Sequence, residues 1–217
     1  NNVGEKAMVT RVLIVEDQKI MQKHFEEIIA GEREFCHIKT IRDASQAAAC
    51  CAGNQVDLVL MDVQTLHNNS GLTAAKIIKE KYPWIKVVII TSLIDPEILV
   101  KSRASKADGL WYKDYSEEEI LSVLKRVLLG EKIFPDSAPS VEINNIDSSK
   151  LSPRQLEMLR LYIKGFSYGE IGQKMNCSTA GVRWNFQDMI AKAGFSCKEE
   201  LLAAALESKL IVTTLKE

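Results

Sequence analysis

The sequence predicts a doubly wound parallel α/β sheet of five strands, followed by a small all-α unit of helix-turn-helix order. Three observations carry this. Short apolar runs alternate with helical periods over the first 130 residues; Pro, Asn and Ser accumulate after Glu131; and a new set of capped helices starts at Ser152. Continuous β-branched or Leu-rich runs are the mark of parallel strands buried on both faces.

In chain order, strands are expected near 11–15, 37–41, 56–61, 86–91 and 108–112. Helices are expected near 18–30, 44–53, 72–81, 95–104 and 116–129. The last of these has a capping-box pattern, Ser116 with Glu119 three residues on, and the apolar series Ile120, Leu121, Val123, Leu124, Val127, Leu128. Gly130 ends it. Domain boundaries follow as 9–130, a linker over 131–149, and a second domain over 150–217.

In the second domain, Ser152 can cap a helix whose first residue is Pro153, with Leu156, Leu159, Leu161, Tyr162 and Ile163 as its apolar stripe and Gly165 as its stop. A short helix from Tyr168 to Met175, a turn at Asn176-Cys177 and a longer helix capped by Ser178 or Thr179 give the helix-turn-helix order. In the longer helix, Val182, Phe186, Met189, Ile190 and Ala193 form an inward stripe, leaving Arg183, Trp184, Gln187 and Ala191 outside. A final helix spans Lys198 to Leu206.

The chain has 217 residues, 46% hydrophobic and 26% charged, enough for two cores. Its net charge of -1 excludes a general attraction to nucleic acid. The halves differ, with 19 basic and 22 acidic residues in the first 150 against 9 and 7 in the rest. No apolar stretch approaches a bilayer span and Asn1 to Met8 is polar without a signal-peptide core, so a cytoplasmic protein is expected, with that segment as a leader outside the fold. Five cysteines without a disulfide spacing fit reduced thiols, and Cys36, His37, Cys50 and Cys51 match no usual zinc spacing; burial as small apolar residues is expected for the cysteines.

Chemistry gathers where the strands end. Glu16-Asp17 closes the first run, Asp62 the third, Thr91-Ser92 the fourth, and Lys113 the fifth. Open parallel sheets place their sites beyond these carboxyl ends. Three carboxylates about 5 Å apart repel by roughly 3 kcal/mol per pair at an effective dielectric near 20. A hard cation relieves that repulsion, and Mg2+ takes one or two carboxylates with waters and phosphate oxygens.

These residues resemble the receiver domain of two-component response regulators over roughly 9–130, which has a flavodoxin-like fold. The resemblance implies Asp62 as phosphoacceptor, Glu16, Asp17 and Asp62 with the backbone carbonyl of Gln64 as ligands of Mg2+, Thr91 as switch hydroxyl and Lys113 as phosphate-binding lysine. The stretch 151–175, continuing through Val182 and Gly194, resembles the LuxR-type effector of the NarL/FixJ response regulators. It implies a transcription factor, not an enzyme, that accepts a phosphoryl group on Asp62 with at most slow self-dephosphorylation. Its partners would be a cognate sensor histidine kinase and promoter DNA, bound as a homodimer on activation. Arg183, Trp184 and Gln187 would then meet base edges or nearby phosphates, with Lys174 and Lys192 on phosphates.

Some positions depart from these patterns. Leu66 stands where proline is common after the acceptor, Asp114 follows Lys113, and Leu110 occupies the usual aromatic switch position, leaving Trp111 or Tyr112 as relays. In the effector, Gly181, Trp184, Asn185 and Asp188 depart, Asp188 by adding a charge that repels phosphate. A phosphorylation-dependent protein-interaction module with weakened DNA reading is therefore a second reading. A small phosphohydrolase is a third, opposed by Gln64 where a second acid would be needed.

Overall fold

The structure is a computed structural model describing residues 9–216, so Asn1 to Met8, expected as a leader, lies outside the described residues. The chain forms two compact units, built mainly on residues 9–136 and on Ser137–Thr214.

The first unit is a parallel sheet of β1 (Thr10–Val15), β2 (Phe35–Ile41), β3 (Leu58–Asp62), β4 (Lys86–Thr91) and β5 (Gly109–Tyr112). Spatial order is β2-β1-β3-β4-β5, as the doubly wound reading requires. Every residue of β3 is buried, which explains why its sequence runs without alternation. On one face, Val12, Ile14, Leu58, Leu60, Val88 and Ile90 pack against Phe25 and Ile29 of α1 (Lys19–Ala30) and against Ile120, Val123, Leu124 and Val127 of α5 (Ile120–Leu128). The other face lies under α2 (Ala47–Gly53) and α3 (Gly71–Lys81), while α4 (Pro96–Ala104) joins β4 to β5. Order reverses between β1 and β3, the position where such sheets open a crevice at their carboxyl ends.

Two expectations need correction. The helix expected from Ser116 starts at Ile120, with Glu119 as its N-cap. Ser116 serves the turn after β5 instead: its hydroxyl accepts from Tyr112 N at 2.9 Å, and its own N–H donates to Tyr112 O at 3.1 Å. A serine hydroxyl can close a turn as readily as cap a helix.

The linker expected over 131–149 is largely ordered. Ile133 runs along the outer edge of β5, donating to Asp108 O at 3.0 Å and accepting from Leu110 N at 2.8 Å. Covering an edge strand satisfies backbone groups that would otherwise invite foreign pairing. Further on, β6 (Glu142–Ile143) and β7 (Ile146–Asp147) make a hairpin of the second unit.

The second unit holds α6 (Pro153–Ile163), α7 (Tyr168–Lys174), α8 (Thr179–Ala193) and α9 (Lys198–Glu207). Ser152 caps α6 in a capping box with Gln155, Ser167 caps α7 with Glu170, and Ser178 caps α8 through Gly181 N. Val182, Phe186 and Met189 of α8 are buried with Leu156, Met158, Leu159, Ile171 and Leu201. Gly172 is needed where α7 meets the turn, since a Cβ there would lie 2.7 Å from Cys177 O. The hairpin turn caps α8, Asn144 Nδ2 donating to Ala193 O at 2.7 Å and Asn145 N to the same oxygen at 3.2 Å.

Candidate functional site

The crevice at the carboxyl end of the sheet is built from four neighbouring strands. β1 delivers Glu16 and Asp17, β3 ends in Asp62, β4 in Thr91, and β5 is followed by Lys113. Oxygen atoms of Glu16, Asp17 and Asp62 all lie within 4.8 Å of one another. Lys113 Nζ stands 2.6 Å from Glu16 Oε2 and 3.2 Å from Asp62 Oδ2. Lys113 N donates to Thr91 O at 2.8 Å, which fixes the β5 end against the β4 end.

Burial sets the electrostatics. Asp62 is 4% exposed, and its Oδ1 accepts from Val63 N at 2.8 Å. Loss of solvent pushes its pKa up to about 7; Lys113 opposes the rise and Glu16 adds to it. Burial also disfavours the Lys113 ammonium, but Asp62 and Glu16 outweigh that and hold its pKa above the ordinary lysine value. Glu16 is fully buried and doubly held, Oε1 by Gln18 N at 2.9 Å and Oε2 by Lys113. The site thus concentrates three hard oxygen donors around one ammonium. That donor set suits a small divalent cation and phosphate oxygens.

The loop after Asp62 contains Gln64 and joins in an isolated antiparallel bridge between Gln64 and Ser70. Two groups here have no counterpart in the sequence reading. Gln22 of α1 donates its side-chain amide to Glu16 O at 2.6 Å. Gly71 opens α3 against the end of β3, where a Cβ would lie 1.9 Å from Asp62 O. Its signal was the Ser-Gly pair at 70–71, a serine cap just ahead of the next helical period.

Trp111 and Tyr112 are both buried, and Trp111 Nε1 donates to Glu118 O at 2.8 Å. Neither is an exposed relay as it stands. Cysteine burial is also uneven. Cys51 is buried, which pushes its thiol up to about 11, whereas Cys36 is exposed and Cys50 half-buried. Among the described residues the Cys36, His37, Cys50 and Cys51 set forms no cluster of metal-ligand geometry.

On α8 the expected division of faces is present for most positions. Val182, Phe186, Met189 and Ala193 are buried, Ile190 is half-buried, and Arg183, Trp184 (62% exposed), Gln187 and Ala191 are exposed. Lys174 is exposed, its Nζ 4.4 Å from the centroid of the Phe166 ring. Asp188, expected to repel phosphate, is turned aside: it accepts from Gln155 Nε2 at 2.9 Å and pairs with Lys192 at 2.6 Å. Lys192 is therefore engaged by a carboxylate on its own helix. Gly181 sits in the first turn of α8, its N–H donating to the Ser178 hydroxyl at 3.0 Å, so the cost of a helix-interior glycine does not fall on it in full. Asn185 donates to Gly181 O at 2.8 Å.

A buried carboxylate with an acidic pair and a lysine, on a sheet of this order and joined to a capped helix-turn-helix, defines a class. It is that of response regulators with a helical effector domain. The family model of the response regulator receiver domain matches residues 12–125, and that of bacterial regulatory proteins of the luxR family matches 149–203. The chain belongs to the response regulators, carrying a receiver domain and a LuxR-type DNA-binding domain of the NarL/FixJ kind, and it acts in transcription regulation.

The oxygen regulatory protein NreC of Staphylococcus aureus is 27% identical over 214 residues, covering 93% of this chain and 99% of that protein. Among solved structures, RcsB from Salmonella enterica serovar Typhimurium, bound to a promoter in the presence of a phosphomimetic, aligns with TM-score 0.61 at 21% identity. That alignment covers 92% of this chain and 98% of RcsB. The response regulator ChrA of a heme-sensing two-component system aligns at TM-score 0.50 and 18% identity over 94% and 100% of the two chains. These likenesses concern the fold. No helix among the described residues is long and apolar enough to cross a membrane.

Proposed function

We propose that Asp62 accepts a phosphoryl group from a partner histidine kinase or a small phosphodonor, and that this controls dimerisation and sequence-specific DNA binding by the helical domain. The observation that carries the reading is the buried Asp62 carboxylate within ion-pair distance of Lys113 and within 4.8 Å of Glu16 and Asp17 oxygens. An oxygen lone pair of the Asp62 carboxylate attacks the phosphorus, and the donor's leaving group departs with the electrons of the broken bond. Glu16, Asp17, Asp62 and the carbonyl of Gln64 would hold Mg2+, which would supply screening between the carboxylate and the phosphoryl charge.

Lys113 then exchanges its carboxylate partners for a phosphoryl oxygen, and the Thr91 hydroxyl donates to another. Phosphorylation replaces a singly charged carboxylate by a nearly doubly charged acyl phosphate in a buried crevice, so the ends of β4 and β5 that carry these groups repack and a two-state equilibrium shifts. A tenfold gain in DNA affinity needs about 1.4 kcal/mol of differential stability. Two copies of α8 on paired half-sites make a symmetric dimer the natural form.

In this reading Arg183, Trp184 and Gln187 approach base edges, and Lys174 meets phosphate. Lys192 does so only by leaving Asp188. Arg183→Ala is expected to weaken binding to the preferred DNA site by about fivefold to 150-fold, the equivalent of about 1–3 kcal/mol for a bidentate guanine contact. The test is selection from a random DNA pool, then anisotropy titrations over a salt series with and without phosphodonor. Salt-dependent retention that rises with phosphorylation supports the reading; none at any salt or phosphorylation state removes DNA binding. The exposed indole of Trp184 favours the second reading, a phosphorylation-dependent protein-interaction module, to which that outcome would lead.

A further inference from the structure

We infer that Thr65 is a positioning residue for the cation site: its hydroxyl holds the loop that offers the Gln64 carbonyl, in place of a proline at position 66. The inference rests on the proposed phosphoacceptor reading and concerns how this chain's own residues build that site.

Leu66 leaves the loop without the fixed φ that proline would impose, and it brings a backbone N–H that must be satisfied. Both consequences are met by hydrogen bonds to the segment after β2. Leu66 N donates to Arg42 O at 3.0 Å. Thr65 is 2% exposed, and its hydroxyl makes two bonds at once, accepting from Ala44 N at 2.9 Å and donating to Asn69 O at 2.8 Å. The Asn69 side chain in turn donates to Asp43 Oδ1 at 2.8 Å.

Backbone bonds within the loop, Thr65 N to Asn69 O at 3.2 Å and Asn68 N to Thr65 O at 2.9 Å, close its turn, and the Thr65 hydroxyl adds the link from that turn to Ala44. His67 and Asn68 both adopt left-handed conformations, at φ 62° and 60°, which His and Asn enter more readily than most non-glycine residues. Gln64 lies immediately before Thr65, and its side-chain amide reaches across the same turn to Asn68 Oδ1 at 2.9 Å. Removing the hydroxyl leaves the buried Ala44 N–H without its acceptor and leaves Asn69 O with the bond from Thr65 N at 3.2 Å. The link between this loop and the segment after β2 is then weakened, and with it the placement of Gln64, whose carbonyl the proposed reading assigns to the cation.

The probe is Mn2+ alone, its free concentration read by electron paramagnetic resonance on the full chain. Thr65→Val is expected to raise the Mn2+ Kd about tenfold, roughly 1.4 kcal/mol. Thr65→Ser, which keeps the oxygen, stays within about twofold of the native protein. Melting temperatures are read alongside. A Thr65→Val protein that melts earlier but binds Mn2+ like Thr65→Ser assigns Thr65 a structural role only and overturns the inference. If Thr65→Val does not fold, Thr65→Ala takes its place, and failure of both while Thr65→Ser folds overturns it equally. A native protein that binds no Mn2+, or an Asp62→Asn protein that binds it as tightly, overturns the cation site itself and the inference with it.

Discussion

In the presence of a chelator at about pH 8, Asp62→Asn is expected to stabilise the first unit by on the order of 2–4 kcal/mol over the native sequence, since each pKa unit is worth 1.36 kcal/mol. The sign follows from burial. Asp62 has its folded pKa raised to about 7 from 3.8, so the folded state prefers the proton more than the unfolded chain does. In the metal-free protein the contribution of Asp62 to stability is therefore full below about pH 4, is lost progressively as pH rises toward 7, and does not return above that. Asparagine imitates the neutral carboxyl and escapes the loss. Urea unfolding at several pH values should show the two proteins converging near pH 4 and separating by pH 8. Mg2+ should narrow the gap by stabilising only the native sequence. Parallel pH profiles would show that Asp62 is comfortably ionised without a cation.

The second large effect belongs to Gly71. An alanine there would place Cβ 1.9 Å from Asp62 O and 2.9 Å from both Asp62 C and Met61 Cγ. Most of that contact is backbone, so no rotamer change relieves it. Gly71 N also donates to Val63 O at 2.8 Å, which pins the start of α3 to the acceptor strand. Gly71→Ala is expected to cost about 3 kcal/mol, at the upper end of overpacking penalties. It should also weaken Mg2+ binding, because Asp62 must move to make room. A variant within about 0.5 kcal/mol of the native protein, the range of an indifferent surface change, would contradict this close approach.

Much of the fold was legible because parallel strands buried on both faces write themselves as apolar runs. Val56 to Asp62 and Lys86 to Thr91 could hardly be read otherwise. The polar groups of the crevice were legible for the same reason, since each stands where such a run stops. What sequence hid were polar side chains whose partners are distant in the chain. Ser116 offered a cap and a turn with equal local chemistry, and Tyr112 N decided between them. Asn144 and Asn145 resembled linker residues, although they close a hairpin and cap α8 some 50 positions away. Thr65 and Asn69 carried no periodicity at all, and only the approach of Ala44 and Asp43 gives them work. Asp188 was read as a charge on the exposed side of α8, whereas Gln155 of α6 draws it inward.

Intact mass after incubation with acetyl phosphate and Mg2+ tests the central claim most directly. The native protein should gain the mass of one phosphoryl group, and Asp62→Asn should gain none while keeping its fold. A native protein that stays unmodified, or an Asp62→Asn protein that is modified to the same extent, would contradict the assignment of Asp62 as acceptor.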